Sequence, residues 1–223
     1  MKILIINPNS SIEMTEAIDR AAKNFVAGEY EVLTVSTPGA PIFIDTYQDK
    51  AAALPGMMDI VKEYENTVDA FIIACHCDPN IEIIREMTDK LVVGIGEASM
   101  KMASMLGHKF SVVSTGKRSI PNKEAVIHGY HLSGALASVR SPKSENSGWD
   151  NEALLTEAAM LAIEEDMAEV IVLGCAGMCE MVENMKRKLN VPVLDGVVCA
   201  LIMASGMVKA GITTSKIRRY SKT

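Results

Sequence analysis

Two cysteines stand at equivalent points of the chain, each directly behind an apolar run. Cys75 follows the segment FIIA and Cys175 follows the segment IVLG, and the two positions differ by 100 (175 minus 75). A thiol between a strand and a helix lies near the amides of the helix start, which favour the thiolate and lower the thiol pKa. We interpret both residues as candidate acid/base or nucleophilic groups, although a single cysteine is more often a small buried hydrophobe.

The same spacing recurs around the cysteines, which indicates an internal repeat. Gly96 of VGIGEAS and Gly196 of VLDGVVC also differ by 100 (196 minus 96), and two Met-Ala-Ser segments begin at Met102 and Met203. Several matches at nearly one offset point to two copies of a βαβ module. If the copies pack about a pseudo-two-fold axis, each contributes one cysteine to a shared cleft.

Two opposed thiols, one charged and one protonated, suit inversion of a stereocentre next to a carbonyl. One group removes a proton from one face of the carbon while the other delivers a proton to the opposite face. The reverse reaction exchanges the two roles, so acid and base should be alike. The resulting carbanion needs a carbonyl held by preorganised donors, for which the turn amides at 9–11, 76–78 and 176–177 are candidates.

The elements that must position these groups follow an α/β pattern. Short β-branched runs alternate with stretches of helical period, and several runs are apolar without alternation, as in parallel strands covered on both faces. The predicted strands are 3–6, 31–35, 70–74, 91–93, 110–113, 136–139, 170–173 and 191–194. The predicted helices are 14–25, 54–64, 80–89, 97–106, 120–128, 151–165, 179–188 and 197–209, and 141–150 reads as a long loop.

Local signals suggest where some helices begin and which faces they bury. Ser10 and Glu13 have the spacing of a capping box before the first helix, whose apolar face would extend to Phe25. Asp78 followed by Pro79 reads as an N-cap carboxylate with proline at the first helical position.

Composition limits the classes of partner. With 48% hydrophobic and 22% charged residues, the chain has the composition of a globular protein. A net charge of -6 and a pI near 5.3 disfavour a nucleic acid or an anionic membrane as partner. The first apolar run, 3–6, is too short for a signal peptide or a membrane span, so we expect a cytoplasmic protein whose five cysteines are thiols.

Six motifs, in this order and spacing, resemble the hydantoin racemases of the aspartate/glutamate/hydantoin racemase superfamily. They are NPNSS at 7–11, AC-x-x-DP at 74–79, GIGEA at 94–98, RSIP at 118–121, GCAGM at 174–178 and VPVLDGVV at 191–198. The resemblance runs from residue 2 to about residue 209. It implies two pseudo-symmetric flavodoxin-like lobes with parallel sheets, and it implies that the active site lies in the cleft between them. It also implies that the protein uses no cofactor or metal and forms a homo-oligomer. We place one lobe at 1–98 plus about 205–223 and the other at 99–204.

By the same resemblance, Cys75 and Cys175 are the two catalytic acid/base residues. Relatives that racemise amino acids tend to follow each cysteine with Asn-Thr or Thr-His, which bind the substrate carboxylate, whereas His-Cys and Ala-Gly follow here. The expected substrate is therefore a neutral five-membered imide, a 5-substituted hydantoin or allantoin. The candidate substrate-binding residues are Asn9, Ser10, His76, Cys77, Asp78, Thr115, Ala176 and Gly177.

Other functions stay open at this point. The superfamily scaffold also supports amino-acid racemisation, cis-trans isomerisation and decarboxylation. A metal site is disfavoured, because C-x-C and C-x-x-x-C do not match the C-x-x-C spacing of structural zinc. A non-catalytic ligand-binding protein is disfavoured, because ligand binding alone does not require a thiol at the same point of both halves. We interpret Cys77 as a small residue filling a tight position, with a local disulfide to Cys75 as the alternative. Lys117 and Arg118 are basic residues near the expected mouth of the site, and structural ion pairing is the favoured interpretation for them over a role in binding.

Overall fold

Two four-stranded parallel sheets form the framework of the protein. The computed structural model describes residues 1–143 and 151–221, so most of the loop predicted at 141–150 lies outside the described residues. All eight predicted strands are present and the α/β prediction is confirmed. The strands are β1 (Lys2–Asn7), β2 (Glu31–Ser36), β3 (Ala70–Ile73), β4 (Leu91–Gly94), β5 (Phe110–Val113), β6 (Leu136–Arg140), β7 (Val170–Leu173) and β8 (Val193–Leu194).

The repeat inferred from the sequence is visible in the topology. The first sheet has the order β2-β1-β3-β4 and the second the order β6-β5-β7-β8, which are the same order in successive halves of the chain. This order matches the start of the flavodoxin arrangement, in which ligands bind at the carboxyl ends of the strands. The strands β3 and β7 are buried throughout and occupy equivalent places, so the residues that follow them lie at equivalent sheet edges.

Helices cover the sheets, and one of them contributes buried residues to the cores of both sheets. The helices are α1 (Ile12–Val26), α2 (Tyr47–Tyr64), α3 (Ile81–Met87), α4 (Ile95–Leu106), α5 (Ile120–Gly129), α6 (Glu152–Asp166), α7 (Val182–Leu189) and α8 (Gly196–Lys209). Helix α4 packs Ala98 into the core of the first sheet and Ala103 into that of the second, while α8 packs Ala200 against the first sheet. The lobe boundaries at 98/99 and about 204/205 stay a prediction.

Helix α1 differs from the prediction in its N-cap residue and in the last residue of its buried face. Ser11, and not Ser10, caps α1, and its side chain accepts a hydrogen bond from the Met14 amide at 3.2 Å. The apolar face of α1 ends at the buried Val26, while Phe25 is 41% exposed.

The second helix starts seven residues earlier than predicted (54 minus 47). A capping box formed by Thr46 and Asp49 begins it, and the helix continues through Pro55. Gly56 permits close packing there, since a Cβ at this position would lie 2.4 Å from the Pro38 carbonyl oxygen. The helix predicted at 179–188 is instead a 3-10 helix, Ala176–Met181, followed by α7.

Within 1–143 and 151–221, no helix combines the length and the apolar character needed to cross a membrane.

The close approach of β4 to the turn after β3 leads to a stability prediction. A Cβ at Gly94 would lie 2.3 Å from the Cγ of the buried Asp78, so Gly94→Ala should lower the free energy of unfolding by about 2 to 3 kcal/mol. Urea denaturation followed by circular dichroism measures this loss. The matched control is Gly206→Ala on an open face of α8, which should leave stability unchanged or raise it by about 0.5 to 1 kcal/mol. Equal stabilities of the two variants would contradict the steric explanation.

Candidate active site

A cavity of about 180 Å³ lies where the carboxyl ends of the two sheets meet. Its wall includes residues that follow β1, β3, β5 and β7, the four central strands of the two sheets. The lining residues are Asn9, Met14, Phe43, Ile44, Asp45, Lys50, Ala74, Cys75, His76, Cys77, Thr115, Ser119, Asn122, Lys123, Gly174, Cys175 and Ala176. Both predicted catalytic thiols therefore face one cavity of the size of a small ring.

The thiol of Cys175 is set to hold its proton. Burial raises its pKa, while a hydrogen bond from the Gly177 amide and the charge of Lys123 act in the opposite direction. Near neutral pH this side of the cavity presents a protonated thiol, which can donate a proton.

The other side of the cavity carries two thiols in contact. The Sγ atoms of Cys75 and Cys77 lie 3.3 Å apart, within hydrogen-bonding distance. This hydrogen bond lowers the pKa of Cys77 to about 6, with further help from the charges of Lys50 and Lys123, and it raises the pKa of Cys75 together with burial. Because one thiol stabilises the thiolate of the other, the pair holds one proton and one negative charge near neutral pH.

Lys123 is, with Lys50, a lysine of the cavity lining that the sequence does not single out. It lies on α5 with 7% of its surface exposed, and its Nζ donates a hydrogen bond to the Gly174 carbonyl at 2.6 Å. Its position three residues after Ile120 and four before the buried Ile127 is the available sequence signal, since that spacing places a charge on the apolar face of a helix. Lys117 and Arg118, the basic residues that the sequence places near the mouth of the site, are both exposed.

Asn9 is held rigidly at the cavity wall. Its Oδ1 accepts hydrogen bonds from Asn7 Nδ2 at 2.8 Å and from the Ser11 amide at 2.9 Å, and its Nδ2 contacts the Met14 sulfur at 3.3 Å. A side-chain amide has two N–H donors, so among the described residues one donor of Asn9 stays available to a ligand.

His76 is a neutral imidazole at this site. It is 2% exposed, neither ring nitrogen has a hydrogen-bond partner among the described residues, and burial together with Lys123 lowers its pKa well below the usual value. It therefore supplies no positive charge to the neighbouring thiols, a role that falls to the lysines.

Asp78 does not cap the helix that follows it, so that prediction is wrong. Helix α3 begins only at Ile81, and Asp78 has a left-handed backbone conformation with φ of 41°. Its carboxylate accepts hydrogen bonds from the amides of Gly96 at 3.0 Å and Glu97 at 2.7 Å and from the Tyr130 hydroxyl at 2.8 Å. The reason is that Gly94, the N-cap of α4, has no side chain to satisfy those amides.

The predicted site residues thus separate into two groups by position. Asn9, His76, Cys77, Thr115 and Ala176 line the cavity with the two catalytic candidates. Ser10, Asp78 and Gly177 are not part of that lining: the Ser10 amide bonds the Pro41 carbonyl, Asp78 caps α4, and the Gly177 amide bonds the Cys175 thiol. The roles of all these residues in binding stay predictions.

The two remaining cysteines lie away from the cavity. Cys199 is 2% exposed and packs in the core, and the Cys179 thiol donates to the Ala17 carbonyl at 3.6 Å. Across the described ranges, no group of three or more His, Cys, Asp or Glu side chains is arranged to hold a metal ion.

Comparison with known proteins places this arrangement among racemases. The profile of the Asp/Glu/hydantoin racemase family matches residues 3–204. The chain is 38% identical over 226 residues to a hydantoin racemase from Pseudomonas sp. (strain NS671), covering 99% of this chain and 91% of that protein. It is 36% identical over 232 residues to a hydantoin racemase from Paenarthrobacter aurescens, covering 100% and 97% respectively.

Solved structures agree with the sequence relatives. The allantoin racemase from Klebsiella pneumoniae superposes with a TM-score of 0.94 at 32% identity, covering 100% of this chain and 94% of that chain. More distant structures such as arylmalonate decarboxylase, with a TM-score of 0.64 at 14% identity, share the fold alone.

The buried cation leads to a prediction about thiol reactivity. Lys123→Met removes the positive charge beside the thiols, so their pKa values should rise and iodoacetamide should alkylate Cys175 roughly tenfold more slowly near neutral pH. Lys123→Arg keeps the charge and should retain part of the rate. Mass spectrometry of time-quenched samples measures the modification, with the exposed Lys117→Met as the matched control. If the Lys123→Met and Lys117→Met proteins react alike, Lys123 does not tune the thiols.

Proposed function

Because the chain belongs to the Asp/Glu/hydantoin racemase family and is an isomerase of the racemase class, we propose that it racemises 5-substituted hydantoins or allantoin without a cofactor. The observation that carries this proposal is the placement of Cys75 and Cys175, after equivalent strands of a duplicated fold, in the wall of a single cavity. Such an arrangement offers one acid/base group to each face of a bound ring.

The state of the thiols supports a specific direction of proton movement. The Cys75–Cys77 pair carries one negative charge, and Cys75 of this pair accepts the proton from the carbon next to the carbonyl, while the protonated Cys175 delivers a proton to the opposite face. The carbanion formed between these steps spreads its charge into the ring carbonyl. The Asn9 amide and the backbone amides of the turns after β3 and β7 are the candidate donors to that oxygen.

A neutral ring substrate fits the residues that follow each thiol. Neither His76-Cys77 nor Ala176-Gly177 offers the paired hydroxyl and amide side chains that would bind an amino-acid carboxylate. Racemisation of aspartate or glutamate is the second candidate function, favoured by one observation: Lys50 and Lys123 both line the cavity and are cations that a substrate carboxylate would pair with.

We also propose that the enzyme works in the cytoplasm as a homo-oligomer. Five free cysteines, two of them in contact in the site, suit a reducing compartment. The oligomer rests on the family resemblance alone.

The two-thiol mechanism predicts distinct behaviour for the two serine variants. Cys75→Ser and Cys175→Ser should each lose racemisation by a factor of about 10² to 10⁴, because each reaction direction needs both groups. Each should still exchange the substrate proton of one enantiomer with deuterium, since one thiol remains. Polarimetry and proton NMR in D₂O measure the two activities on 5-substituted hydantoins, allantoin, aspartate and glutamate.

The matched control for these variants is Cys179→Ser, which removes a thiol near the second lobe's site but outside the cavity lining. It should racemise at the wild-type rate. Wild-type rates in both Cys75→Ser and Cys175→Ser would exclude the two-thiol mechanism, and turnover of the amino acids alone would favour the second candidate function.

A further inference from the structure

The proximity of a third thiol to the proposed base has a consequence for the reaction. We propose that Cys77 is a positioning residue that holds the proton Cys75 must lack when Cys75 acts as the base. Its sulfur lies 3.3 Å from that of Cys75, and both residues line the cavity. The inference rests on the proposed function, because it concerns how one of the two thiols becomes competent to remove the substrate proton.

The backbone holds the two sulfurs together. The Asp78 amide donates to the Cys75 carbonyl at 2.9 Å, which closes a turn over His76 and Cys77. That turn is pressed against the start of α4, where a Cβ at Gly96 would lie 2.3 Å from the His76 carbonyl oxygen. The side chain of Asp78 also accepts hydrogen bonds from the first amides of α4. The turn is therefore held by its own backbone hydrogen bond and by the Asp78 carboxylate. The contact between the sulfurs is therefore preorganised.

The surrounding charges favour a thiolate in this pair over a thiolate elsewhere. Lys50 and Lys123 line the same cavity and both lower the pKa of Cys77. All five cysteines lie in the described ranges, and burial raises the pKa of each of the three that have no thiol neighbour, Cys175, Cys179 and Cys199. A hydrogen bond from a neighbouring thiol is what distinguishes the pair from these single thiols.

The proton count of the reaction closes with this assignment. Before turnover the three sulfurs carry two protons, one shared by the Cys75–Cys77 pair and one on Cys175. When the shared proton moves to Cys77 across the 3.3 Å contact, the negative charge of the pair lies on Cys75. Cys75 accepts the proton from the substrate carbon, the electron pair moves into the ring carbonyl, and Cys175 donates its proton to the opposite face. The pair then holds two protons and Cys175 is the thiolate, so the charge on the enzyme is conserved and the substrate leaves neutral.

Two substitutions at Cys77 test the role through the pH profile. Activity requires the deprotonated pair, so kcat/KM of the wild type should rise with pH through about 6, the pKa lowered by the pairing. In Cys77→Ala, Cys75 becomes a single buried thiol, and this acid limb should move upward by about one pH unit or more. Cys77→Ser keeps a hydroxyl that can donate to the Cys75 thiolate, so its limb should lie between the two. Cys179→Ser, which lies outside the cavity lining, should keep the wild-type profile.

Alkylation of Cys75 by iodoacetamide provides a readout that does not depend on turnover. The pH at which its rate is half maximal, localised by fragmentation mass spectrometry, should shift upward in Cys77→Ala as the kinetic limb does. If the half-point shifts but no hydantoin, allantoin or amino acid is racemised, the thiol pairing stands and the proposed function fails. If racemisation is intact but neither the limb nor the half-point moves, or if activity falls equally at every pH, Cys77 has only a structural role and the inference is overturned.

Discussion

The buried carboxylate of Asp78 is the interaction on which the geometry of the site depends. It joins the turn that carries Cys75 and Cys77 to the first amides of α4 and to Tyr130, the C-cap residue of α5. Burial raises the pKa of Asp78 to about 7, and its three hydrogen-bond donors oppose that shift, because an anion removed from water needs such partners. Since α5 also carries Lys123, one carboxylate sets the thiols and their cation relative to each other.

The duplicated framework gives the two thiols equivalent positions but unequal neighbours. In the first half a second thiol and two lysines stabilise a negative charge on the pair. In the second half Cys175 has a backbone amide and only one of those lysines, and burial keeps its pKa raised. The duplicated fold thus supports an unsymmetric resting state, with the negative charge on the Cys75–Cys77 pair and the proton on Cys175.

How much the sequence predicts depends on how local the physical signal is. All eight strands were predicted, because an apolar run between turns marks a buried parallel strand wherever its partners lie. Helix starts were less accurate, since they depend on which group satisfies the first amides. Asp78 caps a helix 17 residues further along (95 minus 78), and no pattern near Asp78 shows this.

The site follows the same division. The two cysteines were found through the repeat, and they do meet at one cavity. The sequence does not single out Lys123, because a lysine in the first turns of a short helix is usually exposed to solvent. Only the tertiary packing of α5 brings its Nζ to the Gly174 carbonyl. The sequence leaves a disulfide between Cys75 and Cys77 as an alternative, whereas the structure has their Sγ atoms 3.3 Å apart, which is the separation of a hydrogen bond.

The origin of the helix caps explains why the paired thiols lie in the first half and not in the second. Helix α8 is capped by its own neighbour, Asp195, whose carboxylate accepts from the Val197 amide at 2.7 Å. The turn after Cys175 is therefore not needed to cap α8, and it continues as the 3-10 helix that packs on α1, with Cys179 bonded to the Ala17 carbonyl. In the first half α4 lacks a capping side chain of its own, so the turn after Cys75 must bring Asp78 to it. Because of that requirement the turn bends back toward α4, and the Sγ atom of Cys77 lies 3.3 Å from that of Cys75.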